Sequence, residues 1–225
     1  MFMDTPSRRL ASVIENLVVP LKERVYTFER NLFSVGYKQV IGIAIAGREA
    51  IFGPLVCSGV ILSSRYKPMV KEILNLSLKD FKSLPYSLIN AHSQISSIMD
   101  VSQLREINNI NKAENKLRIE TLIKLAQKFE INKSIVITNY SFLPSLPSPY
   151  HDSLGINRGH KYVYVLKLAQ FIALTTWRNH ILDIMFKNPG WERYGLKINF
   201  GNDSKLHREA IQEFGLTPQH RKKLN

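Results

Sequence analysis

The stretch Val40-Ile41-Gly42-Ile43-Ala44-Ile45-Ala46-Gly47-Arg48-Glu49-Ala50-Ile51-Phe52-Gly53-Pro54 decides how the rest of the chain is read. Its first seven residues are small, apolar or β-branched without a polar break, the composition of a strand buried on both faces. Gly47 then opens a turn, and Gly53-Pro54 closes it and launches a second apolar run, Leu55 to Leu62. A buried strand, a glycine-bearing turn and a second buried strand form the centre of an α/β sheet.

Outward from this centre, the apolar positions Leu10, Val13, Ile14 and Leu17 predict a helix over 8–19, ended by Pro20. A second helix is expected over about 22–34, closing at Gly36. Downstream, short helices are predicted over 67–74 and 79–90, and an edge strand over 92–99. The period of Leu104, Ile107, Ile110, Leu117, Leu122 and Leu125 predicts one long helix over 101–129. Ser134 to Thr138 reads as a compact strand, and Pro144, Pro147 and Pro149 make 142–150 a loop. A long helix over 161–186 is broken by Asn188-Pro189-Gly190, and a last helix over 204–214 precedes the basic end His220-Arg221-Lys222-Lys223. The domain reading is a helical extension over 1–36, an α/β core over 37–190, and a C-terminal loop, helix and basic tail over 191–225.

Charge points to the partner. Lys and Arg number 31 against 18 Asp and Glu, a net charge of +13 over 225 residues. Such a surplus favours a polyanion, because each phosphate neutralised by Lys or Arg releases counterions. Basic residues along the long helix (Lys112, Lys116, Arg118, Lys124, Lys128) and near the end (Lys205, Arg208, Arg221) are candidates for a contiguous positive groove. Cys57 is the single cysteine, so no internal disulfide forms, and a cytoplasmic or other reducing compartment is expected. Its place in an apolar strand suits a buried thiol better than a nucleophile. The N-terminus has no signal-peptide pattern and no apolar run reaches membrane-spanning length, so no membrane partner is expected. The six histidines show no zinc spacing, the glycines fit neither a dinucleotide-binding fingerprint nor a P-loop, and no G-x-S-x-G occurs.

Several short segments resemble, in order, the ribonuclease HII (type 2 ribonuclease H) family. Phe28-Glu29-Arg30, Gly36-Tyr37, Ile41 to Glu49 and Gly53-Pro54 resemble its opening, where the family carries I-G-I-D-E-A-G-R-G and then G-P. Leu74 to Lys79, or alternatively Asp80-Phe81-Lys82, stands in the place of L-N-D-S-K-K. Asn109 to Ala113 resembles N-I-x-x-A, and Asn139 to Pro144 resembles D-G-N-x-x-P. Arg158-Gly159-His160 is similar to K-G-D, and Arg178-Asn179 to R-D. Phe200-Gly201, His207 and His220-Arg221 resemble Y-G, H and H-R.

The resemblance implies a ribonuclease H-like α/β fold, a mixed β-sheet flanked by helices with a helical C-terminal subregion. It also implies four carboxylates binding two divalent cations that cleave RNA paired with DNA. Those acids fall on Ala44, Ile45, Asn139 and Asn179, with Thr138 as a one-residue slip of the third, and none is a carboxylate. Mg²⁺ and Mn²⁺ are hard ions that want anionic oxygen. Glu49 and Asp183 are the weak candidates for replacement ligands. The nucleic-acid contacts implied by the family are Gly47, Arg48, Arg158, Phe200, Gly201, His220 and Arg221, with Phe200 equally readable as a core residue.

The expectation is a catalytically inactive relative that binds RNA–DNA hybrid or structured RNA, with possible membership of a protein assembly. No cofactor is expected, and Mg²⁺ or Mn²⁺ only if activity survives. The alternatives are an active endoribonuclease with displaced ligands, or a structural subunit.

Overall fold

The computed structural model describes residues 27–65, 93–139 and 145–221. The expected helices over 8–19, 67–74 and 79–90, the segment Leu74–Lys82 and the tail Lys222-Lys223 lie outside those residues. The elements are α1 (Thr27–Ser34), β1 (Gln39–Ala46), β2 (Leu55–Ser63), β3 (Ser93–Met99), α2 (Val101–Ile107), α3 (Ile110–Lys128), β4 (Ser134–Thr138), β5 (Asp152–Gly155), α4 (Tyr164–Lys187), α5 (Leu196–Asn199) and α6 (Lys205–Phe214). They form a mixed five-stranded sheet of order β3-β2-β1-β4-β5, accompanied by helices. β1 pairs with β4, and β4 with β5, both in parallel.

Two sequence expectations are corrected, and one strand lies where none was expected. The long helix over 101–129 is two helices. Asn108 adopts the left-handed conformation (φ 47°), its N–H returns to the Leu104 carbonyl, and the Asn109 side chain accepts from the Lys112 N–H to restart the helix. The strand β5 falls where the sequence predicted no element, because Asp152-Ser153-Leu154-Gly155 has neither length nor alternation. Beyond Asn188 lie a 3₁₀ turn (Pro189–Tyr194) and the short α5, where only a loop was expected.

The chain divides into two compact units. Unit one holds the described parts of 1–44, 59–95 and 122–171; unit two holds 45–58, 96–121 and 172–221. In unit one the first turn of α4 lies on the middle of β1. A Cβ on Gly42 would sit 2.6 Å from the Val165 carbonyl oxygen, so only glycine permits this approach. The buried Glu29 of α1 accepts the Val165 N–H (3.0 Å) and so caps α4; burial pushes its carboxyl up to about 7. In unit two the core gathers around Phe52 and includes Val56, Trp177, Ile181, Tyr194 and Leu196. Cys57 of β2 is buried beside Thr121 of α3, and burial pushes its thiol up to about 12, so it is inert packing.

Candidate nucleic-acid interface

In unit one the register of β1 and β4 pairs Ile43 with Thr138, so the next residues of the two parallel strands are Ala44 and Asn139. Both are buried. Ala44 contributes a methyl group. The Asn139 carboxamide is occupied on both sides: Nδ2 donates to Gln170 Oε1 (3.1 Å), and Oδ1 accepts the His160 backbone N–H (2.8 Å) with His160 Nδ1 at 3.3 Å. Asn139 therefore ties the end of β4 to α4 and to the 3₁₀ turn Gly159–Lys161. The His160 ring is held below its usual range by burial and by the charges of Lys161, Lys167 and Arg158. Arg158 is exposed and starts that turn with φ 53°. Gly159 is buried, its missing Cβ leaving room for Leu166 and Ile156.

In unit two the turn after β1 is built from backbone. Gly47 has φ 83°, and a Cβ there would meet Trp177 Nε1 at 2.7 Å and the Pro54 carbonyl oxygen at 2.8 Å. The following segment is clasped by two others: Ile51 and Phe52 N–H groups donate to Gly201 O, Gly53 N–H donates to Gln219 O, and Arg221 N–H donates to Ile51 O. The Arg221 guanidinium donates from Nε to Gly53 O (2.8 Å), from Nη1 to Gly47 O (2.6 Å) and from Nη2 to Pro54 O. Burial lowers its pKa to about 10.

His220 is equally committed. Its Nδ1 accepts the Thr217 N–H (2.8 Å), which leaves the proton on Nε2, facing His207 Nε2 at 3.0 Å. His207 then carries its own proton on Nδ1, directed at Asn202 O (3.1 Å). Both rings are neutral in this chain of bonds. Burial pushes His220 down to about 4, aided by the nearby His207, and burial also lowers His207.

These facts give three of the expected contacts a structural role. His220 and Arg221 are buried and spend their polar atoms on the protein, and Gly201 is buried against Phe52, where a Cβ would come within 2.7 Å of the Phe52 carbonyl oxygen. Each shapes the Gly47–Pro54 turn, and the polar atoms of His220 and Arg221 are engaged within the protein. Phe200 reconciles its two readings: it is half-buried against the core, and the Arg178 guanidinium lies 4.7 Å from its ring centroid. Arg48 is exposed and reaches Glu114 (2.6 Å) and Asn111 (3.0 Å), while the buried Arg118 also bonds Glu114 at 3.2 Å. The Glu114–Arg118 pair was not singled out from sequence, although its four-residue spacing on a helix is a visible signal. Gln170 and Lys167 were also missed; each is a polar residue interrupting the apolar face of α4.

A cleft of about 560 Å³ in unit two is lined by Arg48, Glu49, Asp203, Arg208, His220 and Arg221, among others. Its charges are mutually engaged, with Arg208 paired to Asp203 and Arg48 near Glu49 at 3.4 Å.

The residues present do not fit a pair of divalent cations. In unit one the two expected positions offer a methyl and a fully bonded carboxamide. In unit two they offer the apolar Ile45 and Asn179, an exposed amide on α4. Glu49 is directed to Arg48 and Asp183 is exposed, and among the described residues no three His, Cys, Asp or Glu side chains gather as a metal site. Among the described residues no helix is long and apolar enough to cross a membrane.

No family model matches the chain. It is 26% identical over 200 residues to a ribonuclease HII of Sulfurihydrogenibium, covering 88% of this chain and 95% of that protein. It is 25% identical over 198 residues to that of Acholeplasma laidlawii, covering 87% and 91%. Among solved structures, the fold is similar to ribonuclease HII of Archaeoglobus fulgidus, determined in complex with PCNA (TM-score 0.60, 18% identity, 83% of this chain and 95% of that one). It is also similar to ribonuclease H2 of Pyrococcus horikoshii (TM-score 0.59, 16% identity, 81% and 92%) and to a ribonuclease HIII determined with Mn²⁺ (TM-score 0.59, 16% identity, 81% and 65%). The chain is similar in sequence to ribonucleases HII over most of its length and folds as a ribonuclease H-like domain.

Proposed function

We propose that this chain binds nucleic acid, RNA–DNA hybrid or structured RNA, and does not cleave it. The observation that carries this reading is the state of Asn139. Where the resemblance puts a metal-binding carboxylate, a neutral side chain is locked to Gln170 and His160, beside the methyl of Ala44. A phosphodiester in such a site meets no bound cation, so neither activation of water nor neutralisation of a leaving oxygen by metal is available. The net charge of +13 supplies the general attraction for phosphates. The retained Gly47-Arg48 turn, braced by Arg221, supplies a preorganised backbone at the place where the family reads RNA by shape.

The test is a salt series of binding to labelled RNA–DNA hybrid, double-stranded RNA and double-stranded DNA. The reading expects affinity that falls steeply and linearly with log salt, with hybrid or RNA preferred over DNA. Weak binding with a flat salt response would instead favour a structural subunit that acts through protein contacts.

A further inference from the structure

The two ends of the sheet in unit one differ in chemistry. Ala44 and Asn139 stand at the carboxyl ends of β1 and β4. At the opposite end, backbone hydrogen bonds tie three segments side by side. The Lys38 N–H donates to the Lys133 carbonyl (2.9 Å), and the Ser64 N–H donates to the Lys38 carbonyl (3.0 Å). Lys38 leads into β1, Lys133 leads into β4, and Ser64-Arg65 leaves β2. Arg65, Lys38 and Lys133 therefore stand on neighbouring segments, across about 10 Å at the usual strand spacing. All three are exposed, and among the described residues none is paired with a carboxylate.

The row is braced. Gln39 Nε2 donates to the Glu130 carbonyl (2.8 Å), and Gln39 Oε1 accepts the Asn132 N–H (2.8 Å). One side chain thus fixes the loop that delivers Lys133. Lys133 itself has φ 43°, a left-handed conformation that favours glycine or asparagine. A lysine held there is a local cost of the kind that collects at functional positions. The acids at this end leave the row cationic: Asp152 accepts the Tyr37 hydroxyl (2.7 Å), and Glu130 is the single exposed carboxylate of the loop.

We propose that Lys38, Arg65 and Lys133 form a docking surface for the phosphate backbone of a second nucleic-acid segment, at the end of the sheet away from Ala44 and Asn139. Along β1, Lys38 and Ala44 lie about 20 Å apart at the usual rise of a strand, so the two ends present separate surfaces. The proposal rests on the nucleic-acid reading above and adds to it that one chain brings two segments together. In the triple variant Lys38→Gln, Arg65→Gln, Lys133→Asn every change is at an exposed residue, and asparagine suits the left-handed position.

The test mixes the full chain with two short RNA–DNA hybrids, one carrying a donor dye and the other an acceptor, and follows backbone amide resonances with unlabelled hybrid. Expected is energy transfer with the wild type that is lost in the triple variant, while the variant still binds a single hybrid by polarisation. Energy transfer unchanged in the variant overturns the second surface and leaves the nucleic-acid reading standing. The same holds if transfer is absent and hybrid shifts only the amides around Gly47 and Arg48. Transfer absent, with shifts confined to Lys38, Arg65 and Lys133, supports this surface and refutes the contact at Gly47-Arg48. No shift at either place, with no hybrid bound, overturns both.

Discussion

At the scale of single residues, Asn139 carries the chemistry in its neutrality. Replacing it by Asp removes the donor to Gln170 Oε1 and sets two acceptor oxygens face to face in a buried place. The expected cost of Asn139→Asp is about 1–3 kcal/mol, the penalty for leaving buried polar groups unsatisfied, read as a lower midpoint in urea. An unchanged midpoint would mean that the amide is not the clamp described here. The His207–His220 pair makes a second prediction at this scale. Because folded His220 titrates near 4 against 6.5 for the free side chain, the unfolded chain takes up its proton first as the pH falls. The pair's contribution is therefore complete above about 6.5 and is lost as pH falls through about 4. Glu29, raised by burial, acts in the opposite sense, so its contribution fades as pH rises from 4.5 towards 7. Comparing wild type with His220→Gln isolates the histidine: the stability gap between them is expected to narrow as the pH is lowered from 7 to 4. A gap that widens would reverse the assignment of neutral rings.

Among the elements, the Gly47–Pro54 turn is the most tightly specified. Gly47→Ala forces a non-glycine residue to φ 83° and drives its Cβ into Trp177 and the Pro54 carbonyl. A loss of at least about 1–3 kcal/mol is expected from the backbone conformation alone. Phe52, within that turn, is fully buried, with its ring 5.0 Å from His220 and 6.0 Å from Trp191. Phe52→Ala is expected to cost about 3–5 kcal/mol in thermal or denaturant unfolding.

Legibility from sequence differed by element for physical reasons. β1 and β2 were readable because burial on both faces leaves continuous apolar runs. The α2–α3 break was not, because Leu104, Ile107 and Ile110 keep a helical period across Asn108-Asn109, while the break is made by one left-handed residue. β5 was invisible because four residues gain their strand geometry from pairing with β4 rather than from their own side chains. The roles of Arg221 and His220 were hidden too. A basic residue near a chain end reads as solvated, and only the tertiary fold brings Arg221 against carbonyls more than 160 residues away.

For the whole molecule, the fold is that of a ribonuclease H-like domain whose chemistry, in the function proposed, has been lost. The five-stranded sheet with its helices has the ribonuclease H-like fold, and proteins named ribonuclease HII match most of the chain. The family resemblance made the four positions Ala44, Ile45, Asn139 and Asn179 legible as a site; composition alone gave only the basic surplus. The structure adds what the sequence did not carry, namely that Asn139 is woven into a neutral network rather than standing ready for a cation. The proposed function is that such a basic scaffold holds phosphates without cutting between them.

The most direct measurement is to incubate the purified chain with an end-labelled duplex containing embedded ribonucleotides, in Mg²⁺ and separately in Mn²⁺, and to resolve the strands on denaturing and native gels. The account predicts a shifted, salt-sensitive complex and strands of unchanged length in both metals. Metal-dependent cleavage at the ribonucleotides would contradict it.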